Sequence, residues 1–104
     1  MISKSEILEF LSSCKTELEQ KGIKNIALFG SYATGKAKED SDIDLAYESS
    51  DMFVSNFKGW DAFVYLDEHL RNKVAKRFNK KVDLFDLSST SKIKESIKEE
   101  LVYV

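Results

Sequence analysis

Apolar residues near the start of the chain recur at the spacing of an amphipathic helix. Ser3 and Glu6 form a capping-box pattern ahead of this segment, and Gly22 is placed to end it. The positions of the apolar face are Ile7, Leu8, Leu11, Cys14 and Leu18. The pattern therefore predicts a first helix that packs one face against a core.

Three short segments have the hydrophobic pattern of buried or half-buried strands. Ile23–Phe29 is mostly apolar and is closed by Gly30. Residues 42–47 alternate carboxylates with apolar side chains, and residues 81–87 form a third apolar segment. These segments predict three strands.

The remaining pattern predicts three more helices. Residues 31–35 can begin a short helix, and residues 48–59 are predicted to be a loop. Ser91 can cap a last helix. A long helix is predicted from Trp60, with Trp60 and Phe63 packing it onto the sheet. Its apolar positions after Trp60 are Phe63, Leu66, Leu70, Val74 and Phe78, and those of the last helix are Ile93, Ile97 and Leu101. The predicted fold class is α/β (α+β): a small mixed sheet packed with helices, in one domain spanning residues 1–104.

Size and charge limit what this domain can do alone. A chain of 104 residues can bury one core but not a separate substrate-recognition domain, so a partner protein is expected. The net charge of −2 provides no global positive field for nucleic acid, and we expect no direct nucleic-acid binding. No apolar stretch is long enough to span a membrane. One cysteine, Cys14, excludes an internal disulfide, which favours the cytoplasm.

Gly30 and Ser31 stand at the end of a predicted strand, where a phosphate could bind. Gly30 allows the backbone to turn tightly and to approach a ligand closely. Ser31 then begins a helical turn whose unpaired N–H groups favour a phosphate oxygen, and its hydroxyl can donate one more hydrogen bond. This turn is the predicted nucleotide-binding element.

Asp42 and Asp44 lie on the same face of the next predicted strand. Two adjacent carboxylates repel each other unless a cation lies between them, and oxygen ligands of this kind suit Mg²⁺ or Mn²⁺. Ile43 and Leu45 point to the opposite face and anchor the strand in the core. A metal site beside the phosphate turn is therefore predicted.

Residues 81–87 offer a third carboxylate, and strand parity favours Asp83 over Asp86. Asp83 is opposite in parity to Val82 and Leu84, so its side chain can face the site while theirs fill the core. Asp86 shares their parity and marks the strand end. Three carboxylates could hold two cations roughly 3.5–4 Å apart, as in metal-assisted nucleotidyl transfer. Asp83 would ligate the catalytic metal and help to deprotonate the attacking hydroxyl.

The spaced motif resembles that of the DNA polymerase β-like nucleotidyltransferase superfamily. Segments 29–35 and 41–45 are especially similar to its minimal nucleotidyltransferases, and the likeness covers nearly the whole chain. Thr34 stands where the family often has arginine, and Lys36 or Lys38 is the candidate substitute. The residues that carry the resemblance are Gly30, Ser31, Asp42, Ile43, Asp44 and Asp83.

The resemblance implies a nucleotidyltransferase fold and a specific role. Small members of the family commonly pair with HEPN-domain proteins as antitoxin and toxin, and some transfer AMP from ATP onto a tyrosine of the partner. ATP as substrate and a HEPN-type partner are therefore expected here. Two alternatives stay open: a binding module that neutralises its partner by contact alone, and a nucleotidyltransferase that modifies a small molecule.

Overall fold

A computed structural model describes residues 2–87 and 92–104. A π-helical turn (Asp67–Arg71) joins α4 to α5, and a 3₁₀ turn (Lys98–Glu100) follows α6. The helices are α1 (Lys4–Gln20), α2 (Ser31–Thr34), α3 (Asp51–Asn56), α4 (Trp60–Leu66), α5 (Asn72–Phe78) and α6 (Lys92–Ile97). The strands are β1 (Ile23–Phe29), β2 (Ile43–Ser49), β3 (Val82–Asp86) and β4 (Val102–Tyr103).

The strands form one mixed sheet in the order β3-β2-β1-β4. Strand β1 is antiparallel to both β2 and β4, whereas β2 and β3 are parallel. A parallel pair needs a long crossover connection, and helices α3 to α5 provide it between β2 and β3. The predicted fold class, a small mixed sheet packed with helices, is confirmed.

Helices cover both faces of the sheet. The larger core lies between one face and helices α1, α4 and α5, and the smaller one lies between the other face and α6. Period-two alternation sends neighbouring strand residues to opposite cores: Leu28 and Leu45 to the larger, Ala27 and Ala46 to the smaller. The smaller core lies beside the face that carries Asp44.

The first helix follows its sequence pattern closely. The Ser3 side chain accepts a hydrogen bond from Glu6 N at 3.1 Å, and the Glu6 carboxylate accepts one from Ser3 N at 3.2 Å, as a capping box requires. The buried positions of the helix are Ile7, Leu11, Cys14 and Leu18. This prediction is confirmed.

The prediction of a loop over residues 48–59 is wrong. Strand β2 continues to Ser49, and α3 occupies Asp51–Asn56. Only Phe53 of this short helix is buried, and it packs against Phe57 with ring centroids 5.0 Å apart. One buried position is too few to produce a visible helical period, so the pattern resembled a loop.

The predicted packing of Trp60 and Phe63 onto the sheet is also wrong. Trp60 is 72% exposed and Phe63 is 59% exposed. Their rings stack on each other at the surface with centroids 5.1 Å apart. The buried side of α4 is instead formed by Tyr65 and Leu66.

The C-terminal segment differs from the single predicted helix. Helix α6 ends at Ile97, and after the 3₁₀ turn the chain forms β4 against β1. Leu101 is extended and packs beside Ile97 in the smaller core, so it does not belong to a helical face. The predicted cap, Ser91, lies outside the described residues, as does the side chain of Ile93.

Candidate active site

The turn at the end of β1 has a backbone conformation that favours glycine. Gly30 has φ 76° and ψ −154°, a region essentially closed to other residues. Its carbonyl accepts hydrogen bonds from Ala33 N at 3.1 Å and Thr34 N at 3.0 Å, which starts α2. The chain thus changes from strand to helix within one residue, and Ser31 occupies the first helical position.

Asp44 lies directly against this turn. Phe29 pairs with Asp44 across β1 and β2, so the carboxylate emerges beside the next residue, Gly30. A Cβ atom on Gly30 would overlap the carboxylate oxygen of Asp44 and lie 3.0 Å from its Cγ. The absent side chain of Gly30 is therefore what lets a carboxylate approach the turn.

The parallel pairing of β2 and β3 brings the predicted third carboxylate to the same place. Asp44 and Asp83 are direct partners in this register. The Asp83 side chain is 52% exposed, and Lys81 Nζ lies 4.0 Å from its carboxylate. Asp42 lies just before β2 and is partly buried. The turn, Asp42, Asp44 and Asp83 thus gather at one end of the sheet.

Asp86 belongs to a different environment. It pairs with Tyr47, whose side chain packs against the larger core. Burial, together with the charge of Asp86, raises the pKa of Tyr47 to about 12. The parity argument that favoured Asp83 over Asp86 agrees with this placement.

The electrostatics of the cluster centre on Asp44. Burial raises its pKa above the ordinary value of 3.8, and the charges of Asp83, Asp42 and Glu100 raise it further. The ionised cluster is therefore held at an energetic cost that a bound cation would relieve.

The donor chemistry suits a hard cation, although the carboxylates do not form a finished metal cage. Within residues 2–87 and 92–104, no three His, Cys, Asp or Glu side chains converge closely enough to hold a metal ion. Uncompensated carboxylates repel one another and stand apart, so a cation would have to draw them together. The oxygen ligands themselves fit Mg²⁺ or Mn²⁺.

Glu100 is the residue that sequence reasoning missed. Its carboxylate accepts a hydrogen bond from Gly30 N at 3.1 Å, 70 positions away in the sequence. The contact exists because β4 pairs with β1, whereas the hydrophobic pattern predicts no strand at residues 102–103. A prediction of β4 with its register would have pointed to Glu100.

The Thr34 side chain is turned back onto the Gly30–Ser31 turn itself. Its hydroxyl donates to Gly30 O at 3.1 Å, with a longer contact of 3.4 Å to Ser31 O. In the part of the chain that the structure describes, the Ser31 hydroxyl makes no such internal hydrogen bond. Ser31 is thus the better placed of the two hydroxyls to meet a ligand.

The fold and a family match together identify a nucleotidyltransferase. Residues 12–104 match the family model described as "Polymerase beta, Nucleotidyltransferase". The chain belongs to this family, and the resemblance noted in its sequence is confirmed.

One relative and two solved structures are similar to the chain over most of its length. Protein adenylyltransferase MntA of Thermococcus cleftensis is 37% identical over 106 residues, which cover 100% of this chain and 98% of that protein. A toxin–antitoxin structure with AMP-PNP is 28% identical, with a TM-score of 0.53, covering 78% of this chain and 60% of that chain. The structure of the tri-AMPylated Shewanella oneidensis HEPN toxin with its MNT antitoxin has a TM-score of 0.60 at 22% identity. The match covers 96% of this chain and 70% of that chain. The last likeness shows the fold alone.

Across residues 2–87 and 92–104, no helix is long and apolar enough to cross a membrane.

Proposed function

We propose that this protein transfers AMP from ATP to a tyrosine hydroxyl of a HEPN-type partner and acts as that partner's antitoxin. The observation that carries the proposal is the position of Asp44, which lies against the Gly30 turn and beside Asp83. A phosphate held by the turn would meet the carboxylates that a metal-assisted transfer needs. The name of the Thermococcus relative supports the choice of AMP and of a protein acceptor.

Each site residue has a separate role in this proposal. Gly30 leaves room for the Asp44 carboxylate beside the turn, and the Ser31 N–H and hydroxyl would donate hydrogen bonds to the nucleotide phosphates. Asp42, Asp44 and Asp83 would hold Mg²⁺, with Mn²⁺ as the alternative. The metal would neutralise charge on the phosphates and lower the barrier to displacement.

Asp83 is the candidate general base. It is the most exposed of the three carboxylates, so an incoming hydroxyl can reach it. The acceptor oxygen would form a bond to the α-phosphorus as the bond between that phosphorus and the β-phosphate bridging oxygen breaks. The hydroxyl proton passes to Asp83, and pyrophosphate leaves.

A protein partner fits the surface of the chain. Trp60 and Phe63 form an exposed stacked pair, and Phe63 also lines a pocket with Val82 and Asp83 of β3. Exposed aromatic residues of this size favour a protein interface, where they commonly provide much of the binding energy. The partner would also supply the orientation of the acceptor hydroxyl that this small domain cannot enclose.

Calorimetry of ATP binding with and without Mg²⁺ tests the site. Wild type should bind ATP in a metal-dependent manner, whereas an Asp42→Asn, Asp44→Asn double variant should lose that dependence. Asp86→Asn is the matched control, because it removes a carboxylate of β3 that has the opposite parity to Asp83 and pairs with Tyr47 rather than with Asp44. Equal, metal-independent binding of ATP by wild type and the double variant would contradict the assignment of Asp42 and Asp44 as metal ligands.

The alternative that the sequence leaves open is an antitoxin that acts by contact alone. Incubation of the partner with labelled ATP separates the two functions. Cell survival with the partner expressed is measured alongside. If wild type and Asp83→Asn protect the cell equally and neither transfers label to the partner, contact alone explains the antitoxin activity.

A further inference from the structure

The pairing of β4 with β1 stops just before the phosphate turn. Ala27 pairs with Tyr103 and Leu28 pairs with Val102, and each step forward on β1 matches one step back on β4. Val104 N donates to Ile26 O at 3.1 Å, so every second pair along this ladder is hydrogen-bonded. Continued by two residues, the ladder would join the backbone of Gly30 to that of Glu100.

The backbone does not continue in that way. Residues Lys98–Glu100 form a 3₁₀ turn, and the pairing of β4 with β1 includes only Val102 and Tyr103 of this segment. The Gly30 N–H instead donates to the Glu100 carboxylate at 3.1 Å. A side chain thus replaces a backbone acceptor at the point where the sheet edge meets the turn.

Gly30 is consequently held on both sides. Its carbonyl is fixed by the start of α2, through Ala33 N and Thr34 N. Its N–H is fixed by Glu100, which belongs to the opposite end of the chain. Without that acceptor, the N–H of a partly buried glycine would be unpaired, and a residue with glycine's freedom could rotate away from φ 76°.

We propose that Glu100 is a positioning residue of the nucleotide site, which fixes the Gly30 turn through the Gly30 N–H so that Ser31 is aimed at the phosphates. This inference rests on the proposed function, because it assigns the turn to phosphate binding. Glu100 touches neither nucleotide nor acceptor in this role. Its contribution is a hydrogen-bond acceptor at a fixed place.

Two substitutions separate the acceptor from its charge. Glu100→Gln keeps the Oε1 acceptor and removes the charge, whereas Glu100→Ala removes both. The control is Glu99→Ala, which alters an exposed carboxylate of the same 3₁₀ turn. The measurement is the Kd of ATP in the presence of Mg²⁺, taken by calorimetry at a temperature where each variant is folded.

We expect Glu100→Ala to weaken ATP binding about tenfold, the low end for losing a charge-assisted hydrogen bond at a partly exposed site. Glu100→Gln should stay within about threefold of wild type, and Glu99→Ala should match wild type. Wild-type affinity in Glu100→Ala would overturn the proposal. Equal weakening in Glu100→Gln and Glu100→Ala would also overturn it, because the charge rather than the acceptor would then matter. Tighter binding in both would identify Glu100 as a competitor of phosphate, which again contradicts a positioning role.

Amide hydrogen exchange at Gly30 gives a second readout that does not need nucleotide. The Gly30 N–H should exchange faster in Glu100→Ala than in Glu100→Gln, while the β1 amides of Ile26 and Leu28 keep their protection. Should Glu100→Ala fail to fold, comparison of Glu100→Gln with wild type still tests the proposal, since loss of protection of the Gly30 amide in Glu100→Gln would contradict it. Failure of the proposed function would give a different result: the Asp42→Asn, Asp44→Asn variant would then bind Mg-ATP as tightly as wild type.

Discussion

Replacing Gly30 by alanine perturbs the site in two separable ways. The backbone of Gly30 has φ 76° and ψ −154°, which an alanine adopts only under strain. In addition, the new Cβ would overlap the Asp44 carboxylate and lie 3.2 Å from the Asp44 Cβ, so the side chain of Asp44 has to move. The first effect lowers stability, and the second displaces a carboxylate from the turn.

Gly35→Ala provides the matched control for the first effect. Gly35 also has a positive φ, 80°, but a Cβ there would meet no atom within 4 Å. Backbone strain of this kind costs about 1–3 kcal/mol in either variant. For a domain of this size, each kcal/mol corresponds to a fall in Tm of roughly 4–8 °C. Both variants should therefore melt at lower temperature.

Only Gly30→Ala should lose nucleotide binding as well. Calorimetry with Mg-ATP, below the melting transition of each variant, measures this difference. We expect an affinity at least about tenfold weaker for Gly30→Ala and near wild type for Gly35→Ala, since only the former displaces Asp44. Wild-type affinity in a folded Gly30→Ala variant would refute the reasoning, because the close approach of Asp44 to the turn would then be irrelevant to binding.

Two further predictions concern charge and surface. The folded-state pKa of Asp44 is raised above 3.8, so protonation of Asp44 favours the folded state. The stabilisation that this protonation provides is present below pH 3.8 and is lost as pH rises through the raised pKa. In urea unfolding without metal, Asp44→Asn should thus be more stable than wild type at neutral pH, with the difference shrinking in acid; no difference at neutral pH would contradict this. In a pull-down titration, Trp60→Ser and Phe63→Ser should weaken partner binding by about tenfold or more while ATP affinity is unchanged. Unaltered partner binding in both variants would show that the interface does not include Trp60 and Phe63.

Local patterns predicted the parts of the fold that depend on neighbours in sequence. The capping box and apolar period of α1, the apolar run of β1 and the alternation of β2 each reflect contacts within one element. Parity was sufficient to favour Asp83 over Asp86, because it depends only on which side of a strand a residue occupies.

Contacts between distant segments could not be read from the same patterns. Strand β4 contains only Val102 and Tyr103, too few residues for an alternation, and its identity depends on an open edge of β1. Glu100 was missed for that reason. Trp60 and Phe63 have helical spacing and large apolar side chains, the features of a core, and nothing local indicates that they face outwards.

The intact mass of a HEPN-domain partner tests the central claim most directly. Wild-type protein, the purified partner and Mg-ATP are incubated together, and the partner is then weighed by mass spectrometry, with Asp83→Asn and Asp86→Asn in parallel. The account predicts a gain of whole AMP units, located on a tyrosine, with wild type and Asp86→Asn, and no gain with Asp83→Asn. An unchanged partner mass, under conditions where wild type is shown to bind Mg-ATP, would contradict the proposed transfer.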